Sequence, residues 1–366
     1  MKLINIVGAR PNFMKIAPLM RELSYNNKIE TILLHTGQHY DEKMSHLFFN
    51  ELSIPQPQIN LEVGSDTQAK QVAKIMERFD ETCDDIKPDA ILVVGDVNST
   101  MACSLVASKR GIKIIHLEAG LRSFDREMPE EINRLVTDAL ADLLLTPSDD
   151  ATDNLFKEGV APTKIFKVGN IMIDTLYQYM PLAQQSKILD YMGLIPQSYS
   201  LITLHRPSNV DGVEQLSSIL NTFCEISKKI KIVFPIHPRT NKNIDEFGLR
   251  NITDAHPNLI LTEPLGYFDF QKLMLNSKFV LTDSGGVQEE TTALKIPCMT
   301  LRKNTERPVT VWEGSNELIG NDMDKLLHYA EKAINNEWKE SSIPDMWDGK
   351  TSERVVKVIE EQLINL

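Results

Sequence analysis

"LTDSGGVQEE" (residues 281–290) leads from the end of an apolar run directly into a serine, two glycines and a helical pattern. We predict a strand that gives way to a helix within this stretch. The free N–H groups at a helix start favour an anion, and glycines let the backbone touch phosphate oxygens. Ser284, Gly285 and Gly286 are therefore predicted to bind a diphosphate, and Glu290, one turn later, to accept hydrogen bonds from a ribose. An ordinary helix with acidic residues in its first turns is the alternative.

Similar apolar runs recur on both sides of this stretch and alternate with helix-length segments. They are apolar throughout, as expected for parallel strands that are buried on both faces. The pattern predicts an α/β fold with two doubly wound parallel sheets. The runs of the first half cover residues 2–7, 30–35, 90–95, 113–120, 143–148 and 164–169, and those of the second half cover 200–206, 231–238, 259–265, 278–286 and 296–302.

The length of 366 residues suits two domains. A Pro-punctuated stretch near residues 170–195 predicts the hinge between them. We place the first domain at residues 1–172 and the second at 173–350. Ligands of such sheets bind at the carboxyl ends of the strands, so we expect the active site in the cleft between the two domains.

Composition excludes several classes of protein. The net charge of −12 argues against a nucleic-acid surface, which needs a basic patch. No apolar run is long enough for a membrane span, and the first residues do not resemble a signal peptide. The four cysteines lie far apart in sequence, which indicates free thiols in a reducing compartment rather than a metal site or disulfides. We therefore expect a cytoplasmic protein.

Charged residues follow the strands of the first half. In "GARPNFMK", Arg10 and Lys15 stand near a helix start, where they are either anion ligands or surface cations. The motif is neither a nicotinamide fingerprint nor a Walker loop. In "VVGDVNST", Asp96 follows a buried strand and is either a helix cap or a residue of the site.

Glu118 ends another strand, in the otherwise apolar run "KIIHLEAG". A buried carboxylate is costly unless it is paired, protonated or facing a cleft, and Arg122 is one possible partner. Further on, Pro129 opens a helix with Glu130 and Glu131 in its first turn. A carboxylate in the first turn stabilises a helix by complementing its dipole, and this role accounts for the position of Glu131, whereas the role of Glu130 stays open.

The second half presents cationic residues at its strand ends. His205 and Arg206 follow its first strand, and His237 and Arg239 follow its second. No spacing typical of a metal site accompanies these histidines, so we predict no metal. Arg307 follows a later strand and is a candidate to pair with phosphate.

Taken together, the motifs resemble the non-hydrolysing UDP-N-acetylglucosamine 2-epimerases over nearly the whole chain. They are "GARPNFMKIAP", "GDVNST", "HLEAGLRSFDREMPEEINR", "HRPSN", "TDSGGVQEE" and "NTERPVTVWEGSNELIG", in the same order as in that family. The resemblance implies a GT-B fold with two Rossmann-like domains and a C-terminal helix, residues 351–366, that packs back on the first domain. It also implies a homodimer that uses no metal and no nicotinamide cofactor.

The resemblance assigns residues to the nucleotide sugar. It gives diphosphate contacts to Ser284, Gly285, Gly286 and Arg10, and the ribose to Glu290. Further substrate contacts fall on Arg307 and Lys15, with His237 added from its position at a strand end. A uracil pocket falls on Leu265 and Phe270. The resemblance assigns catalytic roles to Asp96, Glu118, Glu130 and His205.

The chemistry that the resemblance implies is elimination of UDP to give 2-acetamidoglucal, followed by re-addition of UDP and protonation of C2 from the opposite face. Carboxylates would move the proton, and cations with helix-end N–H groups would hold the departing UDP. The alternatives are a hydrolysing epimerase, a UDP-2,3-diacetamido-glucuronate 2-epimerase, a GT-B glycosyltransferase and a nucleotide-sugar sensor without catalysis. The product would feed the synthesis of cell-surface polysaccharides.

One stretch departs from many bacterial members, which have "QHREMLDQ" and are activated by a second substrate molecule. Here the stretch is "GQHYDEKMS" (37–45), in which Gln38 and His39 match but the following arginine is absent. The same variant resembles the uronate enzymes, whereas "NTERPVTV" fits the acetylglucosamine branch. We therefore favour UDP-N-acetylglucosamine as the substrate.

Overall fold

The computed structural model describes residues 1–38 and 56–365, and only the backbone of Arg10. His39, which the family resemblance matched, lies outside the described residues. The chain divides into two compact units. The first comprises Met1–Gln178 and Asp345–Leu366, and the second comprises Tyr179–Pro344.

The first unit contains a seven-stranded parallel sheet in the order β3-β2-β1-β4-β5-β6-β7. Its strands are β1 (Lys2–Val7), β2 (Glu30–His35), β3 (Ile59–Asn60), β4 (Ala90–Val94), β5 (Lys113–Leu117), β6 (Leu143–Thr146) and β7 (Ile165–Lys167). Its helices include α1 (Arg10–Ser24), α2 (Gln68–Ile86), α3 (Asn98–Arg110), α4 (Pro129–Leu140) and α5 (Asp149–Lys157), with a short 3₁₀ turn at Pro162–Lys164. The unit boundary falls within α6 (Ile171–Gln185).

The second unit contains a six-stranded parallel sheet in the order β10-β9-β8-β11-β12-β13. Its strands are β8 (Tyr199–Thr203), β9 (Lys231–Pro235), β10 (Leu259–Thr262), β11 (Val280–Thr282), β12 (Cys298–Thr300) and β13 (Asn316–Leu318). Its helices are α7 (Ile188–Met192), α8 (Pro207–Val210), α9 (Val213–Ser227), α10 (Pro238–Glu246), α11 (Arg250–Asp254), α12 (Tyr267–Asn276), α13 (Gly285–Ala293), α14 (Val309–Trp312) and α15 (Met323–Ile334).

Both faces of the second sheet are covered, which explains why its strands do not alternate between apolar and polar residues. Successive side chains of a strand point to opposite faces. The neighbours Leu201 and Ile202 of β8 are both fully buried, yet they belong to separate hydrophobic clusters. A parallel strand between two layers of helices therefore needs apolar residues at every position.

The last residues of the chain complete the first unit. Helix α16 (Thr351–Ile359), which continues as a π-helical turn at Glu360–Ile364, packs against α1. Asp174 caps the start of α16, because its carboxylate accepts the N–H groups of Thr351 at 3.0 Å and Ser352 at 2.7 Å. The hydroxyl of Ser352 donates to the same carboxylate. The first unit is thus built from two separate stretches of sequence.

Two general features bear on the compositional predictions. In the part of the chain that the structure describes, no helix combines the length and apolarity needed to cross a membrane. All four cysteines are buried free thiols.

Candidate functional site

Each sheet has a point where the strand order reverses, and the polar residues predicted from the sequence gather around these two points. In the first unit the reversal lies between β1 and β4, and in the second between β8 and β11. Ligands of open α/β sheets bind outside the carboxyl ends of the strands at this position. In the first unit Asn12 spans it, since its side chain accepts from Gly8 N–H at 3.1 Å and donates to the Val94 carbonyl at 3.0 Å.

Glu118 forms a buried ion pair with Lys15 just past the end of β5. The Nζ atom of Lys15 lies 2.5 Å from Oε2 of Glu118, and both side chains are almost fully buried. The other oxygen, Oε1, is buried and has no hydrogen-bond partner within the described residues. One face of the carboxylate is thus held by a cation while the other stays available to a ligand. The suggested pairing with Arg122 is wrong, because Arg122 instead binds Glu158 and Asp138.

Gly95 makes room for this pair. Its φ of +69° is a conformation that side chains disfavour, and a Cβ atom there would lie 3.2 Å from Nζ of Lys15. Glu118 itself has a φ of +70°, so its backbone turns sharply as the strand ends. The geometry of both strand ends therefore depends on conformations that few residues adopt.

Asp96 is held by a cation that also supports a neighbouring loop. Its Oδ2 lies 2.6 Å from Nη2 of Arg134, and Nη1 of Arg134 lies 2.7 Å from Oε2 of Glu131. Glu131 is buried, and its carboxylate accepts the N–H groups of Ser123 and Phe124. Complementing the helix dipole is thus a minor part of its role, because Glu131 anchors the loop that follows Glu118.

Glu130 stands beside Glu131 but has different surroundings. Its side chain is half-buried in the first turn of α4, and it makes no hydrogen bond or ion pair with any described residue. Its carboxylate is therefore available to a ligand, whereas that of Glu131 is fully engaged.

In the second unit, Asp283 organises the strand ends. Its fully buried carboxylate accepts the N–H groups of His205 at 2.9 Å and Arg206 at 2.8 Å, and the side-chain amide of Asn209 at 3.1 Å. Nδ1 of His205 lies 2.9 Å from the same group. Burial raises the pKa of Asp283, but the hydrogen bond and charge of His205 and the two amides outweigh it and hold the pKa below its usual range.

His205 and His237 lie next to one another, with their ring centroids 5.6 Å apart. Nδ1 of His237 accepts the N–H of Arg239 at 3.2 Å and so caps α10. The guanidinium of Arg239 is committed to Asp211, with Nε 2.8 Å from Oδ1. The two histidines therefore stay close to the strand ends, while Arg239 has a structural partner.

The predicted diphosphate site is the start of α13, for which Ser284 is the N-cap residue and makes no side-chain capping bond. The N–H of Ser284 donates to Oγ1 of Thr282, so it is not among the free donors that the sequence suggested. The first N–H groups of a helix, here those of Gly285 and Gly286, have no intrahelical acceptor. Arg307 lies against Gly285, where an added Cβ atom would be 2.8 Å from its Nη1, and it is held by Glu289, with Nε 2.6 Å from Oε1.

Glu290 lies one turn into α13 in an enclosed setting. Its Oε1 accepts from Nε2 of Gln271 at 2.7 Å and lies 3.4 Å from the hydroxyl of Tyr267. Burial raises the pKa of Glu290 to about 8. Leu265 and Phe270, which come from the loop before α12 and from α12 itself, are half-buried and pack on the hydrophobic cluster beneath.

The raised pKa of Glu290 makes a prediction for stability. The folded state keeps this proton up to about pH 8, whereas an unfolded glutamate loses it near pH 4.5. Stability from this group is therefore present below pH 4.5 and is lost as the pH rises towards 8, by at most about 1.4 kcal/mol per pH unit. We expect the free energy of unfolding of Glu290→Gln, relative to wild type, to rise across this range and then level off.

Denaturant unfolding of both proteins at several pH values from 5 to 9 measures this difference in the free energy of unfolding. The contributions of the other titrating groups cancel, because the two proteins share them. Glu81→Gln, on an exposed part of α2, is the control and should give a flat difference. A flat difference for Glu290→Gln as well would contradict the prediction.

Several structural residues were not assigned from the sequence. His116 and Arg134 are the first and last residues of the motif "HLEAGLRSFDREMPEEINR", and Asp138 lies just beyond it. All three are buried, but the sequence assigned them no role, because most of their partners lie on other elements. Asp283, which lies within the stretch 281–290, was likewise given no role from the sequence. A search of residues 1–38 and 56–365 finds no cluster of three histidine, cysteine or acidic side chains that could hold a metal ion.

Comparisons with known proteins agree with this architecture. The family model described as UDP-N-acetylglucosamine 2-epimerase matches residues 21–360. A UDP-N-acetylglucosamine 2-epimerase of Methanocaldococcus jannaschii is 42% identical over 98% of this chain and 99% of its own. A UDP-2,3-diacetamido-2,3-dideoxy-D-glucuronate 2-epimerase of Pseudomonas aeruginosa is 37% identical over 91% of this chain and 92% of its own.

Among solved structures, that of the Methanocaldococcus jannaschii UDP-GlcNAc 2-epimerase in complex with UDP-GlcNAc and UDP is similar to this chain. The TM-score is 0.90 at 42% identity, over 99% of this chain and 100% of the other. The predicted α/β fold of the GT-B type, with a parallel sheet in each unit, is thereby confirmed.

Proposed function

The chain belongs to the UDP-N-acetylglucosamine 2-epimerase family, and from this premise we propose that it interconverts UDP-N-acetylglucosamine and UDP-N-acetylmannosamine. The observation that carries the proposal is the full-length similarity to a structure that holds UDP-GlcNAc and UDP. The 37% identity to the uronate epimerase keeps UDP-2,3-diacetamido-glucuronate as the second candidate substrate.

The second unit binds UDP in this proposal. The N–H groups of Gly285 and Gly286 and the guanidinium of Arg307 face the diphosphate, and the hydroxyl of Ser284 adds a donor. Support comes from the start of α13, where Arg307 lies beside Gly285 and is held by Glu289. Arg10 also contacts the diphosphate, Lys15 and His237 make further substrate contacts, Glu290 binds the ribose, and Leu265 and Phe270 flank the uracil.

The first unit supplies the proton chemistry. A carboxylate removes the proton on C2 while the bond between C1 and the UDP oxygen breaks, which gives 2-acetamidoglucal and UDP. UDP then adds back to C1, and a proton reaches C2 from the opposite face. We assign these transfers to Asp96, Glu118 and Glu130. The ion pair of Lys15 and Glu118 supports this. Lys15 holds Oε2, whereas the buried Oε1 has no hydrogen-bond donor among the described residues and can therefore accept one from a substrate.

His205 assists the departure of UDP. Its ring is oriented by Asp283, which holds both its Nδ1 atom and its backbone N–H. With Nδ1 donating to Asp283, a ring fixed in this way donates from Nε2 to a phosphate oxygen in its imidazolium form, as negative charge develops there. This role is compatible with the neighbouring helix start, which favours the same charge.

The function is tested by incubating the protein with UDP-N-acetylglucosamine in deuterated water. We expect both UDP-sugars to accumulate deuterium at C2 with little free UDP, since the proton that returns comes from groups that exchange with solvent. Free UDP in equal amount to N-acetylmannosamine would indicate hydrolysis and contradict the proposal. Exchange only with UDP-2,3-diacetamido-glucuronate would select the second substrate, and binding without exchange would indicate a sensor.

We also propose that the protein forms a homodimer through an apolar groove of about 320 Å³ on the first unit. The groove lies among α2, α3 and α4, and Val72, Met101 and Ile132 contribute apolar side chains to it. Among the residues that the structure describes, no charged one lines it, and Ile132 is exposed in the single chain. A second copy of the chain is the proposed occupant. Sedimentation should give twice the 41.5 kDa of one chain.

The proposed setting is the cytoplasm, where the product supplies precursors of cell-surface polysaccharides. The four buried thiols support a reducing compartment, since none of them is paired. No metal or organic cofactor takes part in the proposed reaction.

A further inference from the structure

We propose that His116 and Asp138 are positioning residues that hold the strand ends carrying Asp96 and Glu118. The inference rests on the proposed function, because it concerns how the carboxylates of that reaction are fixed. Neither residue is assigned a role by the motifs of the sequence. Both are buried, so they act through the backbone rather than by touching a substrate.

His116 fixes the turn that precedes Asp96. Its side chain is fully buried on β5, and Nε2 lies 2.9 Å from the carbonyl oxygen of Gly95. The N–H of Gly95 donates to the carbonyl of Leu117 at 3.1 Å. Both polar groups of this glycine are thus bound to β5, and the backbone that leads into Asp96 is held from two sides.

Asp138 fixes the turn that follows Glu118. Its Oδ1 lies 2.6 Å from Nδ1 of His116, and its Oδ2 accepts the N–H of Gly120 at 3.0 Å. Nη2 of Arg122 lies 2.8 Å from Oδ2 of Asp138, and Arg122 also donates two hydrogen bonds to the carboxylate of Glu158. Burial raises the pKa of Asp138, but the charges and hydrogen bonds of His116 and Arg122 outweigh it and leave the pKa below its usual range.

The geometry determines the role of each ring nitrogen of His116. A carbonyl oxygen only accepts, so Nε2 donates to Gly95. An ionised Asp138 also only accepts, so Nδ1 donates to it. Both nitrogens donate only in the imidazolium form, so the ring bridges the two strand ends as a cation, whereas an amide side chain can place its NH2 group at only one of the two positions.

The restraint matters because one of the turns it holds is strained. Glu118 has a φ of +70°, a conformation that few residues other than glycine adopt, whereas Gly95 and Gly120 adopt their φ angles of +69° and +80° readily. A strained conformation of this kind persists only when its surroundings hold it in place. A carboxylate displaced by about 1 Å would lose on the order of 10²-fold in rate.

The test uses two amides that each keep one of the two donors. In His116→Gln the side-chain amide takes the place of Nε2, and in His116→Asn it takes the place of Nδ1. We expect His116→Asn to lower kcat by about 10²-fold with KM unchanged, because the Gly95 contact is lost. His116→Gln should retain more of the turnover, since it keeps that contact. His328→Asn, at an exposed histidine of α15, is the matched control and should behave as wild type.

Amide hydrogen exchange of residues 95–98 and 118–121 provides a readout that needs no activity. We expect faster exchange in both segments in His116→Asn and, as a second variant, in Asp138→Asn, at pH values where each protein is folded. Unchanged exchange together with unchanged kcat, or equal losses in the asparagine and glutamine variants, would overturn the inference. A wild-type protein that lacks C2 exchange but shows the expected hydrogen exchange would contradict the proposed function alone.

Discussion

Replacing Glu118 by glutamine is expected to lower turnover by about 10²-fold or more, because an amide cannot take up or return the proton on C2. The change keeps the shape of the side chain but removes its charge. UDP affinity should change little, since Glu118 is not among the residues proposed to bind UDP. Deuterium incorporation at C2 measures the turnover, and calorimetry measures UDP binding.

The structure also predicts a cost in stability for the same variant. Lys15 would lose the carboxylate that lies 2.5 Å from its Nζ, and a buried cation without its partner costs about 3–5 kcal/mol. The thermal unfolding of the variant must therefore also be measured. Its activity is then compared with that of wild type at a temperature at which both proteins are folded. Glu81→Gln, at an exposed glutamate of the same unit, serves as the control. Turnover equal to wild type in Glu118→Gln would remove this residue from the mechanism.

The second large effect is expected from Gly285→Ala, which should weaken UDP binding. A Cβ atom at this position would lie 2.8 Å from Nη1 of Arg307. The guanidinium cannot move away freely, because Glu289 holds its Nε at 2.6 Å. Displacing it would cost a charge-assisted hydrogen bond to phosphate, about 1.5–3 kcal/mol, or about 10-fold to 10²-fold in the dissociation constant.

Gly212 offers a closely matched control for this variant. It also stands at the start of a helix in the second unit, as the N-cap of α9, but the nearest neighbour of an added Cβ atom lies 3.9 Å away. Gly212→Ala should bind UDP as wild type does. A dissociation constant for Gly285→Ala that matches this control would contradict a diphosphate site at α13.

The apolar runs predicted most strands because a strand between two helical layers must be apolar at every position. Two strands were not predicted, Ile59–Asn60 and Asn316–Leu318. Both are short and carry polar residues, and each lies at an edge of its sheet, where fewer neighbours require apolar side chains. The predicted runs also extended beyond several strands, because small or apolar residues such as Ala119 continue the pattern after the backbone has turned at Glu118.

The candidate site was predictable where a residue type and its immediate neighbours in sequence indicate a function. Glycines before a helix and a carboxylate in an apolar run are visible in the sequence alone. The partners of these residues are not visible, because spatial contacts join distant parts of the chain. Lys15 and Glu118 are 103 residues apart, and Asp283 reaches His205 across 78 residues. Arg122, four residues from Glu118, was the nearer candidate in sequence but has other partners.

The discontinuous first unit has a consequence for biosynthesis. During translation, residues 179–344, which form the second unit, emerge from the ribosome before the stretch from Asp345 onwards. Until that stretch emerges, Asp174 lacks the N–H groups of Thr351 and Ser352, and α1 lacks its contact with α16. Amino-terminal domains usually fold first during translation. In this protein the unit encoded in the middle of the gene is the first whose residues are all available.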